Sequence, residues 1–184
     1  MKYNPDIHHR KSIRLKNYDY SSEGLYFITI CAYQMEHLFG KIIDGKMILN
    51  NAGLMVEKEI IKTNEIRKNV KIEDYVIMPN HIHFIMEILK TGFSNGKPLQ
   101  EIKSNEDVGG LPMANPNKLN PNTVGSIVNQ IKSKVTKEVR KNTNIYDVWQ
   151  KNYYEHIIRN EEEYNKISEY IKNNPTKWDE DKYR

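Results

Sequence analysis

The sequence predicts an α+β fold built on an antiparallel sheet, and three observations carry that expectation. The period of the apolar residues switches between two and about 3.6 along the chain, in the order strand, helix, strand, strand, helix, strand, helix. A Pro79-Asn80 turn joins two of the strand segments directly, which calls for an antiparallel pair. Charged residues make up 28% and hydrophobic residues 38% of the chain, a balance that suits a folded globular domain rather than a disordered one. The element order matches a ferredoxin-like split β-α-β sandwich with an added hairpin and a C-terminal helix. A length of 184 residues suits a single domain over residues 1–184.

The elements follow from local pattern. Residues 1–20 are polar, carry Arg10, Lys11, Arg14 and Lys16, and read as a basic arm. Residues 25–33 (LYFITICAY) are rich in aromatic and β-branched side chains and read as a strand. Residues 39–50 hold an Asp44-Gly45 turn signal between two short apolar runs, a hairpin. Residues 51–64 place Leu54, Glu57, Ile60 and Ile61 at helical spacing. Residues 73–78 form a short strand, and Pro79-Asn80 leads into a second one at His81. Residues 91–122 change character, with repeated Gly, Pro, Asn and Lys, and read as a flexible insertion. Val124, Ile127, Val128, Ile131, Val135 and Val139 form a helical stripe, opposite a face with Lys132, Lys134, Lys137 and Arg140. Residues 148–159 are strand-like, and a last helix starts near Asn160, where Glu163 completes a capping-box pattern. That helix should stop before Pro175.

Composition narrows the functional classes. A formal net charge of +4 permits a nucleic-acid partner. The sole cysteine, Cys31, excludes an internal disulfide and fits a reducing compartment. The polar N-terminal residues do not resemble a signal peptide, and no run approaches the roughly 18 apolar residues of a membrane span. The expected setting is cytoplasmic, with no membrane and no small-molecule cofactor.

The chemistry-bearing stretch is Met78-Pro79-Asn80-His81-Ile82-His83-Phe84-Ile85-Met86-Glu87-Ile88. Strand side chains alternate, so Ile82, Phe84, Met86 and Ile88 share an apolar face while His81, His83, Ile85 and Glu87 share the other. Two imidazoles at i and i+2 can reach one cation and leave coordination positions for a phosphate. On the last helix, Tyr164, Ile167 and Ile171 make the core stripe; Tyr170 lies at its edge and Asn174 is four residues on, on the same side. That helix could bring a phenol nucleophile, Tyr170, and an amide-oxygen ligand, Asn174, to the two histidines. Mg²⁺ or Mn²⁺ on His81, His83 and Asn174 would polarise a scissile phosphate, and attack by Tyr170 would leave a 5′-phosphotyrosine and a free 3′-OH. The phenol must lose its proton; the metal, a water, Lys166 or Lys172 could assist. By pattern alone the histidines serve equally as hydrogen-bonded sheet residues, Tyr170 as a packing residue among twelve tyrosines, and Asn174 as an ordinary helix end. Tyr153 and Tyr154 suit packing or base stacking, and His156 a polar strand position.

Four segments carry a family resemblance. Pro79-Asn80-His81-Ile82-His83 resembles the His-hydrophobe-His motif of the HUH single-tyrosine (IS200-like) transposases. Ser168-Glu169-Tyr170-Ile171-Lys172-Asn173-Asn174-Pro175 resembles the catalytic-tyrosine segment of their REP-associated branch. Trp149-Gln150 with Tyr153-Tyr154-Glu155-His156-Ile157-Ile158-Arg159, and Arg14-Leu15 with Tyr18-Asp19-Tyr20 before Tyr26-Phe27-Ile28-Thr29, are similar to that branch as well. The resemblance covers nearly the whole chain except residues 91–122. It implies a Mg²⁺- or Mn²⁺-dependent transposase that cuts single-stranded DNA from hairpin-forming palindromic repeats, as a monomer or homodimer. The rival readings are a replication initiator or relaxase of the same chemistry, a non-catalytic DNA-binding protein of the same fold, and a hydrolase of small phosphoesters. The last would need more carboxylates near the site than Glu87 supplies.

Residues 94–120 offer little apolar material to bury. Their deletion is expected to leave a chain that unfolds cooperatively and still binds metal; aggregation of the deletion variant would make the segment structural.

Overall fold

In a computed structural model the described residues are 19–89, 93–94, 97–98, 121–181 and 183. The basic arm, apart from Asp19 and Tyr20, lies outside them, as does most of the 91–122 insertion.

The elements run β1 (Gly24–Cys31), a 3-10 turn (Tyr33–Met35), β2 (Gly40–Ile43), β3 (Lys46–Leu49), α1 (Asn51–Ile66), β4 (Val70–Ile77), β5 (His81–Ile88), β6 (Phe93–Ser94), β7 (Lys97–Pro98), α2 (Val124–Asn142), β8 (Tyr154–Ile158), α3 (Glu161–Asn173) and a 3-10 turn (Pro175–Glu180). The main sheet has the order β4-β5-β1-β8 with every neighbour antiparallel. This is the split β-α-β arrangement that the element order predicts: β5 sits between the two strands that α1 connects. The hairpin β2-β3 forms separately, turning at Asp44 and Gly45, whose φ angles of 49° and 69° are the left-handed pair of a tight hairpin turn.

Boundaries differ where the backbone turns early. The first strand ends at Cys31 because the chain breaks into a 3-10 turn whose Gln34 and Met35 have φ of 50° and 60°. Residues 148–159 give a strand only over Tyr154–Ile158; upstream, Trp149 makes an isolated bridge to Ala32 and the buried Val148 plugs the core. β4 starts at Val70, three residues earlier than the sequence suggests, and carries an irregularity between Ile72 and Tyr75.

Each helix starts on a polar cap. Asn50 Oδ1 accepts from Gly53 N at 3.0 Å, Thr123 Oγ1 from Ser126 N at 3.1 Å, and Asn160 Oδ1 from Glu163 N at 2.8 Å. Glu163 closes its end of the cap by accepting from Arg159 N at 2.8 Å, and its carboxylate lies 2.6 Å from His156 Nε2. The Arg159 N–H, followed by His156, lowers the Glu163 pKa.

The sheet is buried on both faces. Tyr26, Ile28 and Ile30 of β1 and Ile82, Phe84 and Met86 of β5 are fully buried with Val56 and Ile60 of α1 and Ile127, Ile131 and Val135 of α2. On the opposite face a smaller cluster joins Ile85, Ile158 and Ile171, with Leu25, Phe27, Tyr164 and Ile167 packed around it. α3 therefore covers the face that carries the histidines. No helix among the described residues is long and apolar enough to cross a membrane.

Gly53 shows how tightly the hairpin is seated on α1. Alanine is ordinarily the better helix residue by about 1 kcal/mol, but a Cβ here would lie 2.2 Å from the Phe39 carbonyl oxygen. Gly53→Ala is expected to destabilise by about 1–3 kcal/mol, read from urea unfolding; a neutral or stabilising result would show that the hairpin can shift freely.

Candidate active site

The register of β5 against β1 sets the site. Cys31 is opposite His81 and Thr29 is opposite His83, so both imidazoles project from the sheet centre onto the α3 face. They are 0% and 1% exposed, with ring centroids 4.5 Å apart. Buried imidazoles need polar partners, and each ring has one at Nδ1: Asn80 Oδ1 at 2.8 Å for His81 and Thr29 Oγ1 at 2.8 Å for His83. That arrangement leaves the Nε2 edges on the same side.

Asp181 lies with the two histidines in a cluster that could hold a divalent ion. It follows the 3-10 turn after α3, and its N–H donates to the Trp178 carbonyl at 3.2 Å. Its Oδ2 lies 3.9 Å from His81 Nε2, and the ligand atoms of His81, His83 and Asp181 all fall within 4.8 Å of one another. Oδ1 accepts from Tyr183 N at 2.8 Å and Oδ2 from Asn174 Nδ2 at 3.0 Å. Trp178 and Tyr183 wall the pair, with centroids 6.2 and 4.8 Å from the His81 ring.

Tyr170 arrives from α3. Its Oη is 3.2 Å from His83 Nε2, and its ring meets Phe27 edge-on at 6.3 Å while Phe27 stacks on His83 at 5.2 Å. It is 39% exposed, so one side of the phenol faces solvent. Burial pushes its pKa up to about 12, with Asp181 adding to the shift and a hydrogen bond to Asn174 opposing it. Tyr164, the rival tyrosine, donates its hydroxyl to Asp74 Oδ2 at 2.9 Å and belongs to the packing beneath α3.

Tyr170, Asn174 and Asp181 share a cleft of about 520 Å³. Three carboxylates line it, Glu169, Glu180 and Asp181, against two ammonium groups, Lys166 and Lys177. A polyanion entering such a cleft meets net repulsion unless a cation is present. Lys166 is held by Glu162 at 2.6 Å and Lys172 stands 3.8 Å from Asp74, so both lysines singled out from the sequence already face carboxylates. Lys177 was not singled out, because a residue beyond Pro175 reads as tail.

Asn174 reaches the site as its i+4 spacing to Tyr170 implies, but differently from a plain third ligand. Its amide nitrogen is turned to Asp181, while its Oδ1 is buried and without a hydrogen-bond partner. The carboxylate that joins the histidines is Asp181, which the sequence reading missed; the signal was the acidic run Trp178-Asp179-Glu180-Asp181 after the helix. Glu87 lies at the far end of β5, opposite Leu25 and Lys71. Lys132 also departs from expectation. Its Nζ donates to the carbonyls of Gln150 and Lys151 at 2.8 and 3.2 Å, and burial lowers its pKa, so of that helix face Lys134, Lys137 and Arg140 remain exposed.

No protein-family model matches the chain. An uncharacterized protein of Haemophilus influenzae is 49% identical over 183 residues, 98% of this chain and 96% of that one. At that identity the two belong to one family. Among solved structures, a REP-associated tyrosine transposase bound to a REP hairpin superposes with a TM-score of 0.57 at 22% identity, covering 90% of this chain and 74% of that one. The chain thus has the fold of a REP-associated tyrosine transposase, the architecture that the sequence motifs imply.

The Tyr170 phenol should stay neutral past pH 10 in metal-free protein, since its pKa is raised to about 12. The sign follows from linkage: the folded chain holds this proton more tightly than the unfolded one, so the associated stability is intact below about pH 10 and is lost as pH rises towards 12. Phenolate absorbance of the parent minus that of Tyr170→Phe measures it; a difference titrating at an ordinary phenol pKa would put Tyr170 in open water.

Proposed function

We propose that the protein is a divalent-metal-dependent enzyme that nicks single-stranded DNA and transfers the broken strand through a 5′-phosphotyrosine on Tyr170. The observation that carries this reading is the approach of Tyr170 Oη to 3.2 Å from His83 Nε2, beside a His81-His83-Asp181 ligand cluster.

The donor set fits the cation. Two imidazoles and a carboxylate suit a borderline-to-hard divalent ion, and the orphaned buried Oδ1 of Asn174 is an oxygen donor with no protein partner. His81, His83 and Asp181 would hold Mg²⁺ or Mn²⁺, with Asn174 beside them. A bound ion would supply Lewis-acid positive charge to offset the charge of the scissile phosphate.

The chain's own residues supply position and nucleophile. Phe27 and the His83 ring fix the Tyr170 ring, so its oxygen is aimed before substrate arrives. Asn174 and the Tyr183 N–H hold the Asp181 carboxylate, and Trp178 and Tyr183 exclude water from the His81 side. Tyr170 gives its proton to water on its exposed side, its oxygen bonds to phosphorus, and the bond from phosphorus to the 3′ oxygen breaks. The departing 3′ oxygen takes up a proton to become a free 3′-OH. Attack by another strand's 3′-OH reverses the step and rejoins DNA without external energy. Lys177, at the cleft wall, is placed to meet a flanking phosphate.

The solved protein of the same fold was bound to a REP hairpin, which supports a hairpin-forming palindrome as the substrate in this reading. The reading places it in the cytoplasm, as a monomer or homodimer, with no small-molecule cofactor.

The test is a denaturing gel of protein mixed with labelled single-stranded hairpin DNA and Mn²⁺. The parent should give an SDS-resistant adduct that peptide mapping places on Tyr170. Tyr170→Phe, His83→Ala and Asp181→Asn should lose at least about 10²-fold in adduct formation while retaining most DNA affinity, which comes from phosphates and shape. Cleavage with no covalent species would mean a water nucleophile. A nucleotide on Tyr164, Tyr153 or Tyr154 would overturn the assignment of Tyr170.

Binding should also weaken steeply as salt rises, and charge reversal at the exposed Lys134 and Lys137 should flatten that dependence. An unchanged slope would leave that helix face as solvated surface.

A further inference from the structure

The residue before the first histidine, Asn80, has a side chain that the chemistry above does not use. It is fully buried, in the turn between β4 and β5. The turn itself is held by backbone bonds. Ala32 N donates to the Asn80 carbonyl at 2.7 Å, Phe39 N to the Pro79 carbonyl at 3.0 Å, and Met78 N to the His81 carbonyl at 2.8 Å. The Asn80 side chain is therefore not needed to form the turn, and its two contacts have another consequence.

Asn80 Nδ2 donates to the backbone carbonyl of Tyr183 at 2.5 Å, and Asn80 Oδ1 lies 2.8 Å from His81 Nδ1. A carbonyl only accepts. The reversed amide would set two acceptors 2.5 Å apart, so the Tyr183 carbonyl fixes which end of the amide faces the imidazole. That end is the oxygen, which also only accepts, so His81 Nδ1 must carry the proton. The lone pair of His81 is then confined to Nε2, the atom 3.9 Å from Asp181 Oδ2. The Nδ1 partner of His83 is the Thr29 hydroxyl, which can donate or accept and fits either tautomer.

We propose that Asn80 is a positioning residue that locks the tautomer of His81, through the chain Tyr183 carbonyl, Asn80 amide, His81 Nδ1–H, so that Nε2 is held ready for a divalent cation. The inference rests on reading His81, His83 and Asp181 as a cation site. Partners of this kind on metal-bound histidines, when removed, typically lower metal affinity about 10–100-fold.

Two substitutions separate a tautomer lock from an anchor for the tail. Asn80→Leu removes the acceptor at Nδ1 and the donor to Tyr183 together. Asn80→Asp keeps an oxygen at Nδ1 and replaces the donor to Tyr183 by a charged acceptor, which breaks the tail contact without removing the acceptor for His81. Mn²⁺ affinity of the full chain is measured by titration calorimetry without DNA, alongside thermal unfolding. Asn80→Leu should bind Mn²⁺ about 10–100-fold more weakly, and Asn80→Asp should stay within about threefold of the parent. An Asn80→Asp affinity that falls as far as the Leu variant, or an Asn80→Leu affinity equal to the parent's, overturns the proposal. If the Leu variant fails to fold, the Asp variant alone decides: a loss of tenfold or more overturns the lock. A parent chain that binds no Mn²⁺ overturns the cation site itself, whereas a parent that binds Mn²⁺ but forms no DNA adduct overturns only the proposed reaction.

Discussion

Everything in this molecule turns on the two-residue alternation of β5. One face of that strand is wholly apolar and closes the core beneath α1 and α2; the other carries both imidazoles. A register slip of one residue would drive His81 and His83 into the apolar layer and turn Ile82 and Phe84 onto the polar site. The cost of burying two imidazoles without partners far exceeds that of any surface change. The hydrophobic core therefore fixes the strand's register and, in the same stroke, the direction in which the imidazoles point.

Burying such groups on a sheet demands compensation, and the neighbouring strand and turn provide it. Thr29 stands in register with His83 on β1, and Asn80 immediately precedes His81 in the turn. Both sit on backbone already immobilised by sheet or turn hydrogen bonds. The carboxylate and the phenol come instead from α3 and the turn after it. The site therefore joins a rigid half, set by strand pairing, to a half that depends on one helix packing correctly.

That division matches what could be read from the chain. The alternation in residues 81–88, the helical stripe from Val124 to Val139, the Asp44-Gly45 turn and the Asn160 cap are local signals, and the corresponding elements stand where they imply. The paired histidines and Tyr170 also lie on local patterns, and the structure brings them together. Asp181 could not be found this way. It approaches His81 across 100 residues of sequence, after a proline that ends the helical signal, and no period links it to the histidines. The first strand ends short for a related reason: Tyr33 has strand propensity, yet the backbone turns at Gln34, beside the point where Trp149 bridges Ala32 and Val148 enters the core. The hydrogen bonds of Lys132 to two carbonyls are likewise a tertiary event on a helix face that looks solvated from its sequence.

The apolar layer beneath α3 is small beside that on the opposite face of the sheet. The helix's apolar anchor is the small cluster of Ile85, Ile158 and Ile171 with Tyr164 and Ile167, whereas the opposite face holds the main core. Elements with few buried apolar contacts exchange their amide hydrogens through partial opening, at free energies well below that of global unfolding. Were α3 to lift, Tyr170 would depart and Asp181, which follows it in the chain, would lose the Asn174 hydrogen bond that holds it, while His81 and His83 would stay on the sheet. The proposed chemistry would then be lost while the sheet remained, and thermal inactivation would follow the docking of thirteen helical residues rather than the melting of the sheet.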